Sequence, residues 1–244
     1  SQGSKAFAKD FENITNSVSQ GFRRGYFAGY WPIDHSDIMD VLEIGRDNDS
    51  IQRMNYGVCI SNKWIESVKS GDSEKRKVWA KLIESRIDTG MPYIFFSDNV
   101  NHIPFMKDGY VDNYASDVYA AHDLKVKGSN LCSEITEVSN NKYSFLCDLA
   151  AMNLLYYDEW KDTNAVEILV YALDALHTIF QNILEGWRDS NDYHDSLKFR
   201  FLEKAYNSSA DFRDIGVGAT GFHSYLQKHN IAFGDVQSRI INNK

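Results

Sequence analysis

The chain is 244 residues long, 43% apolar and 14% aromatic, enough to bury a substantial core as one large domain or two small ones. A formal charge of −8 and a pI near 5.3 exclude a sequence-independent grip on duplex DNA, which needs clustered Lys and Arg against phosphates, but leave room for a nucleotide as a small ligand. No apolar run of about 18 residues marks a membrane span, no signal-peptide pattern opens the chain, and three irregularly spaced cysteines favour a reducing, cytoplasmic setting over a disulfide framework.

In chain order, Lys5 to Ser17 reads as a helix with Phe7, Phe11 and Ile14 on one face, running into the polar, glycine-containing loop Ser19 to Gly25. Tyr26 to Trp31 reads as a strand. After Pro32, Ser36 is placed to cap a helix carrying Ile38, Val41 and Leu42. Asp72 or Ser73 starts a long helix whose Val78, Leu82 and Ile83 face inward and which stops at Gly90. Tyr93 to Phe96 is a buried strand, and Asn99 to Lys127, without a clear period, is expected to be a long loop. Asn164 to Leu184 has the best helical spacing of the chain, from Val166 and Leu169 through Leu173 to Leu184; Leu197 to Tyr206 and Gly221 to His229 follow as further helices. Gly216 and Gly218 form a lone Gly-x-Gly, expected to be a tight turn. Strands alternating with helices indicate an α/β architecture, and no internal repeat or linker stands out.

The most informative stretch is Gly128-Ser129-Asn130-Leu131-Cys132-Ser133-Glu134-Ile135, with an amide, a thiol and a carboxylate at alternate positions. If the run is extended, period two sends Asn130, Cys132 and Glu134 to one side of the backbone, a set of tools for radical or nucleophilic chemistry on one small ligand. Cys147 follows in Phe145-Leu146-Cys147-Asp148-Leu149, an apolar run of strand character, and adjacent strands would bring both thiols to one pocket. No His lies in a recognisable partner motif for a Cys/His nucleophile pair. His35 and His223 read as structural residues, Cys59 as a small buried hydrophobe, and no spacing suggests a zinc or di-iron carboxylate site.

Several segments, in order, resemble the catalytic barrel of the ribonucleotide reductase large subunit, in the class I and class II branches. Ser19-Gln20-Gly21-Phe22-Arg23-Arg24-Gly25 resembles that family's second specificity loop, and Tyr30-Trp31-Pro32-Ile33-Asp34-His35 its strand-to-helix crossover. Thr89-Gly90-Met91-Pro92-Tyr93-Ile94 is similar to its TGxPY motif. Ser129-Asn130-Leu131-Cys132-Ser133-Glu134-Ile135 resembles its finger-loop signature almost residue for residue. Cys147-Asp148-Leu149-Ala150 sits where the family keeps a redox cysteine, and Asp214-Ile215-Gly216-Val217-Gly218 is similar to a glycine-rich turn before a helix.

The resemblance implies a central portion, 1–244, of a ten-stranded α/β barrel with a central finger loop near 128–135 and a specificity loop near 19–25. It implies that Cys132 holds a thiyl radical, Glu134 is the general base, Asn130 holds the sugar, and Cys147 is one of two reducing thiols, its partner lying outside this chain. Ser19, Gln20 and Arg24 would couple effector binding to the choice of base. The implied radical source is a metal-containing small subunit in preference to adenosylcobalamin, with ATP and dNTP effectors held mostly by other parts and thioredoxin or glutaredoxin as reductant. The family's N- and C-terminal parts are not recognisable here, and the chain starts at Ser1 with no initiator Met. The expectation is therefore a middle piece, inactive until complemented by companion large-subunit fragments. Two alternatives stand beside it: a non-catalytic scaffold fragment, and another thiyl-radical enzyme on the same barrel, against which Glu134 weighs.

Overall fold

A computed structural model describes residues 3–101, 105–107, 110–112, 119 and 123–243. They divide into two units, Ser1–Val138 and Ser139–Lys244.

In the first unit three strands run parallel in the order β1 (Phe27–Pro32), β2 (Met54–Ile60), β3 (Tyr93–Phe96). Parallel neighbours need crossovers, supplied here by α2 (Ile38–Val41) between β1 and β2, and by α3 (Asn62–Lys69) with α4 (Ser73–Thr89) between β2 and β3. The alternation of β2 decides what each face does. Tyr56, Val58 and Ile60 are fully buried and join Val41, Leu42, Ile44, Ile51, Trp64 and Leu82 in one core, while Asn55, Gly57 and Cys59 point to the opposite face. The preceding α1 (Ser4–Val18) packs Ala8 into that core. α4 begins where Asp72 accepts a hydrogen bond from the Lys75 amide at 3.1 Å and ends at Gly90, whose φ of 78° is open to glycine at little cost. α5 (Ser97–Asn101) follows β3.

Three expectations in this unit need correction. Ser36 does not cap α2: Asp37 is the capping position, and the Ser36 hydroxyl contacts the Asp37 carboxylate instead. The sequence reading assigns no element to Met54–Ile60, yet this is the central strand. The Asn99 to Lys127 loop contains the end of α5 and an antiparallel pair, β4 (Phe105–Lys107) and β5 (Tyr110–Asp112); its remaining residues up to 122, apart from 119, lie outside the described residues.

In the second unit β6 (Leu149–Asn153) pairs in parallel with β7 (Gly216–Thr220). Between them lie a 3-10 turn (Leu154–Tyr156), α6 (Tyr157–Trp160), α7 (Ala165–Arg188) and α8 (Tyr193–Asp211); α9 (Phe222–Lys228) and α10 (Val236–Asn242) follow. α7 and α8 form an antiparallel pair: Asp192 starts α8 by accepting from the His194 amide at 2.7 Å, Gln181 donates to Ser209, and Tyr206 donates to Glu185. His177 is buried between them, its Nδ1 2.8 Å from the Ser209 hydroxyl and its Nε2 2.9 Å from the Asp214 carbonyl. Gly216 and Gly218 are a strand, not a tight turn. A Cβ at Gly216 would come within 2.3 Å of Leu149 Cδ2 across the ladder, so the glycine leaves room for that side chain.

Candidate active site

The chain from 124 to 138 crosses the open face of the three-stranded sheet, and each contact it makes has an identifiable anchor. Asn101, at the end of α5, donates to the Val126 carbonyl at 3.0 Å and accepts from its amide at 2.9 Å. The Cys59 thiol donates to the Lys127 carbonyl at 3.3 Å. Burial pushes that thiol up to about 11, so it stays protonated, although Cys59 is only half-buried and not the small buried hydrophobe the sequence suggests. Further on, the Ser129 hydroxyl closes the base of the loop on the Ile135 carbonyl at 2.6 Å, and Ile135 and Val138 are buried.

Between those two anchors the backbone turns. The Ser133 amide donates to the Asn130 carbonyl at 3.2 Å, and Ser133 takes a φ of 66°, in the left-handed region. The segment is therefore a β-turn over 130–133, not the extended run that alternate spacing suggests. Asn130 and Glu134 meet by another route. Asn130 Oδ1 accepts from the amides of Glu134 and Ile135, each at 3.1 Å, and Asn130 Nδ2 donates to Glu134 Oε1 at 2.8 Å. Amide and carboxylate are thus locked together, and Cys132 stands exposed at the crest of the turn beside them.

Two tyrosines hold the turn from beneath. Tyr30 of β1, Gly57 of β2 and Tyr93 of β3 occupy one register row on the sheet. The Tyr30 hydroxyl donates to the Asn130 carbonyl at 3.0 Å and lies 3.3 Å from Ser133 Oγ. The Tyr93 hydroxyl donates to the Leu131 carbonyl at 3.1 Å while accepting from Asn55 Nδ2 at 3.2 Å. Burial raises the Tyr30 phenol above its ordinary value, against the opposing hydrogen bonds from Ser133 and Ser129, so it remains a donor. Gly57 makes room for the ring: a Cβ there would sit 2.3 Å from Tyr30 Cε1, and one at Gly128 would sit 3.1 Å from Tyr30 Cγ. The sequence places Tyr30 and Tyr93 in two expected strands, but their shared register depends on β2, where the sequence predicts no element.

The other expected site residues lie elsewhere. Ser19 ends α1, donating to the Thr15 carbonyl at 2.6 Å and accepting from the Gly25 amide at 2.8 Å, so its hydroxyl shapes the 19–25 loop. Gln20 and Arg23 bridge across that loop, and Gln20 and Arg24 are exposed. In the second unit Cys147 is exposed in irregular chain two residues before β6, not within a strand. The following Asp148 places Oδ2 3.6 Å from His177 Nε2, and its carbonyl accepts from the Gly216 amide at 2.9 Å. Among the described residues no group of three His, Cys, Asp or Glu is arranged to hold a metal ion, and no helix is long and apolar enough to cross a membrane.

The first unit thus presents a parallel sheet crossed on one face by an anchored turn bearing Asn130, Cys132 and Glu134. The family described as the ribonucleotide reductase barrel domain matches residues 1–75 and 72–244. The chain belongs to that family, and its fold is part of the α/β barrel. A relative from Frog virus 3 (isolate Goorha) is 31% identical over 233 residues, covering 86% of this chain and 37% of the viral protein. The Bacillus subtilis (strain 168) ribonucleoside-diphosphate reductase subunit alpha is 26% identical, over 95% of this chain and 39% of that protein. Among solved structures, an Actinobacillus ureae class Id ribonucleotide reductase alpha subunit superposes with a TM-score of 0.79 and 42% identity, over 100% of this chain and 42% of that one. The chain therefore spans well under half the length of these relatives.

Proposed function

We propose that this chain is a catalytic part of a ribonucleoside-diphosphate reductase large subunit, in which Cys132 carries a transient thiyl radical. The observation that carries the reading is the 130–135 turn, which locks Asn130 to Glu134 and leaves the Cys132 thiol exposed beside them, in a chain of this family. A radical source outside this chain, a metal-containing small subunit in preference to adenosylcobalamin, would take one electron and one proton from the thiol.

The residues divide the chemistry between them. The Cys132 sulfur takes the hydrogen from sugar C3′ and later returns it. Glu134 accepts the proton of the 3′-hydroxyl, which lets the substrate radical expel the 2′-hydroxyl as water. Asn130 Oδ1 is committed to backbone amides, but Nδ2 carries a second hydrogen, available to orient the sugar. Cys147 and a partner thiol outside this chain give two electrons and two protons, ending as a disulfide that thioredoxin or glutaredoxin reduces. Ser19 supports the loop on which Gln20 and Arg24 face the base, linking effector state to substrate choice.

The chain works only with companion large-subunit segments. Large apolar side chains stand exposed on α1 (Phe7, Phe11, Ile14) and on α7 (Ile168, Tyr171, Ile179), surfaces suited to burial against such segments. The test is nucleotide reduction by the chain mixed with N- and C-terminal companion segments, a small subunit, a nucleoside diphosphate and dithiol. Deoxynucleotide formation that requires every component is expected. Turnover by this chain alone, or none from an assembly that demonstrably forms, would contradict the reading.

A further inference from the structure

The turn that carries Cys132 is exposed on its outer side, and Ser133 within it holds a left-handed φ that costs energy unless its surroundings impose it. From below, two phenols reach it from strands on either side of Gly57. They engage consecutive carbonyls: Tyr30 the Asn130 carbonyl at 3.0 Å, and Tyr93 the Leu131 carbonyl at 3.1 Å. The Leu131 carbonyl belongs to the peptide plane that contains the Cys132 nitrogen and Cα, so fixing it fixes where the Cys132 Cα lies. The Asn130 carbonyl is the acceptor that closes the turn. Asn55 in turn donates to the Tyr93 oxygen at 3.2 Å, which orients the Tyr93 proton toward Leu131.

We propose that Tyr30 and Tyr93 are positioning residues for Cys132, holding the thiol at a fixed height above the sheet through the carbonyls of Asn130 and Leu131. This rests on the reading of Cys132 as the hydrogen-abstracting residue. Neither phenol touches the substrate in this account. Their effect is on how closely the sulfur meets the sugar hydrogen, a step in which a small misplacement is costly.

The experiment compares wild type, Tyr30→Phe, Tyr93→Phe and the double variant in the reconstituted assembly, each change removing one oxygen and leaving the ring. Backbone amide exchange at 133–135 is expected to rise about tenfold in the double variant, the worth of one lost hydrogen bond or two, while exchange in β1–β3 holds and shows that the sheet is folded. In the same samples kcat falls by about tenfold to a hundredfold with the nucleotide KM unchanged, and the isotope effect with 3′-deuterated nucleotide grows as hydrogen abstraction becomes limiting. Unchanged exchange at 133–135 would overturn the clamp. A loosened turn with unaltered kcat and isotope effect would overturn the positioning role. An assembly whose wild type reduces no nucleotide would instead sink the proposed function, and the exchange data would still decide the clamp.

Discussion

Glu12 is a carboxylate buried at the edge of the first unit, where it accepts hydrogen bonds from the amides of Gln52 at 2.9 Å and Arg53 at 2.6 Å and pairs with Lys9 at 2.6 Å. Burial alone would raise its pKa, but those hydrogen bonds outweigh it and hold the group below its ordinary value of 4.5. A depressed folded pKa stabilises fully above the unfolded value and is lost as pH falls through the folded one. Glu12→Gln is therefore expected to flatten the loss of stability below pH 4.5, read by denaturant melts across pH. Glu12→Ala, which strands two amides, is expected to cost about 1–3 kcal/mol at neutral pH. Gly57→Ala is the sharper test of the site: its methyl would meet the Tyr30 ring, destabilising the unit by about 1–3 kcal/mol and shifting the ring from beneath the turn. A melt indistinguishable from wild type would show that the ring moves freely. At this scale the amide, thiol and carboxylate of 130–134 are legible in the sequence as a chemical set, but their conformation is not. Period-two spacing describes a strand and also fits a turn in which Asn130 folds back on the amides of Glu134 and Ile135, and local side-chain-to-backbone hydrogen bonds decide between them.

Among elements, α4 shows what patterning conveys. Its start at Asp72, its stop at Gly90 and its inward Leu82 follow from capping chemistry and periodicity, and the structure agrees with all three. Leu82→Ala is expected to destabilise by about 2–5 kcal/mol, whereas Ile87→Ala, on the exposed side of the same helix, stays within about 0.5 kcal/mol. Chemical denaturation of the two variants side by side checks the assignment of faces, and equal costs would contradict it. β2 and β7 are two of the elements sequence reasoning misses, and both for one physical reason. Met54–Ile60 and Gly216–Thr220 owe their strand state to parallel partners distant in sequence, and each has glycine where a strand-forming side chain would announce it. The same glycines let Tyr30 and Leu149 approach their neighbours closely. What hides these strands in the sequence is what makes them useful in the fold.

For the whole molecule, family membership rests on a match across both units, and apolar side chains stand exposed on α1 and α7. The central claim is narrower: one of the three cysteines, Cys132, is the residue that takes hydrogen from the sugar. The measurement that tests it most directly is nucleotide reduction in the reconstituted assembly with Cys132→Ser beside Cys59→Ser, both confirmed to assemble. Serine at 59 can still donate to the Lys127 carbonyl, whereas serine at 132 has an O–H bond too strong to serve as the hydrogen carrier. The account predicts that Cys59→Ser turns over like wild type and Cys132→Ser forms no deoxynucleotide. Deoxynucleotide formation by Cys132→Ser at the wild-type rate would contradict it.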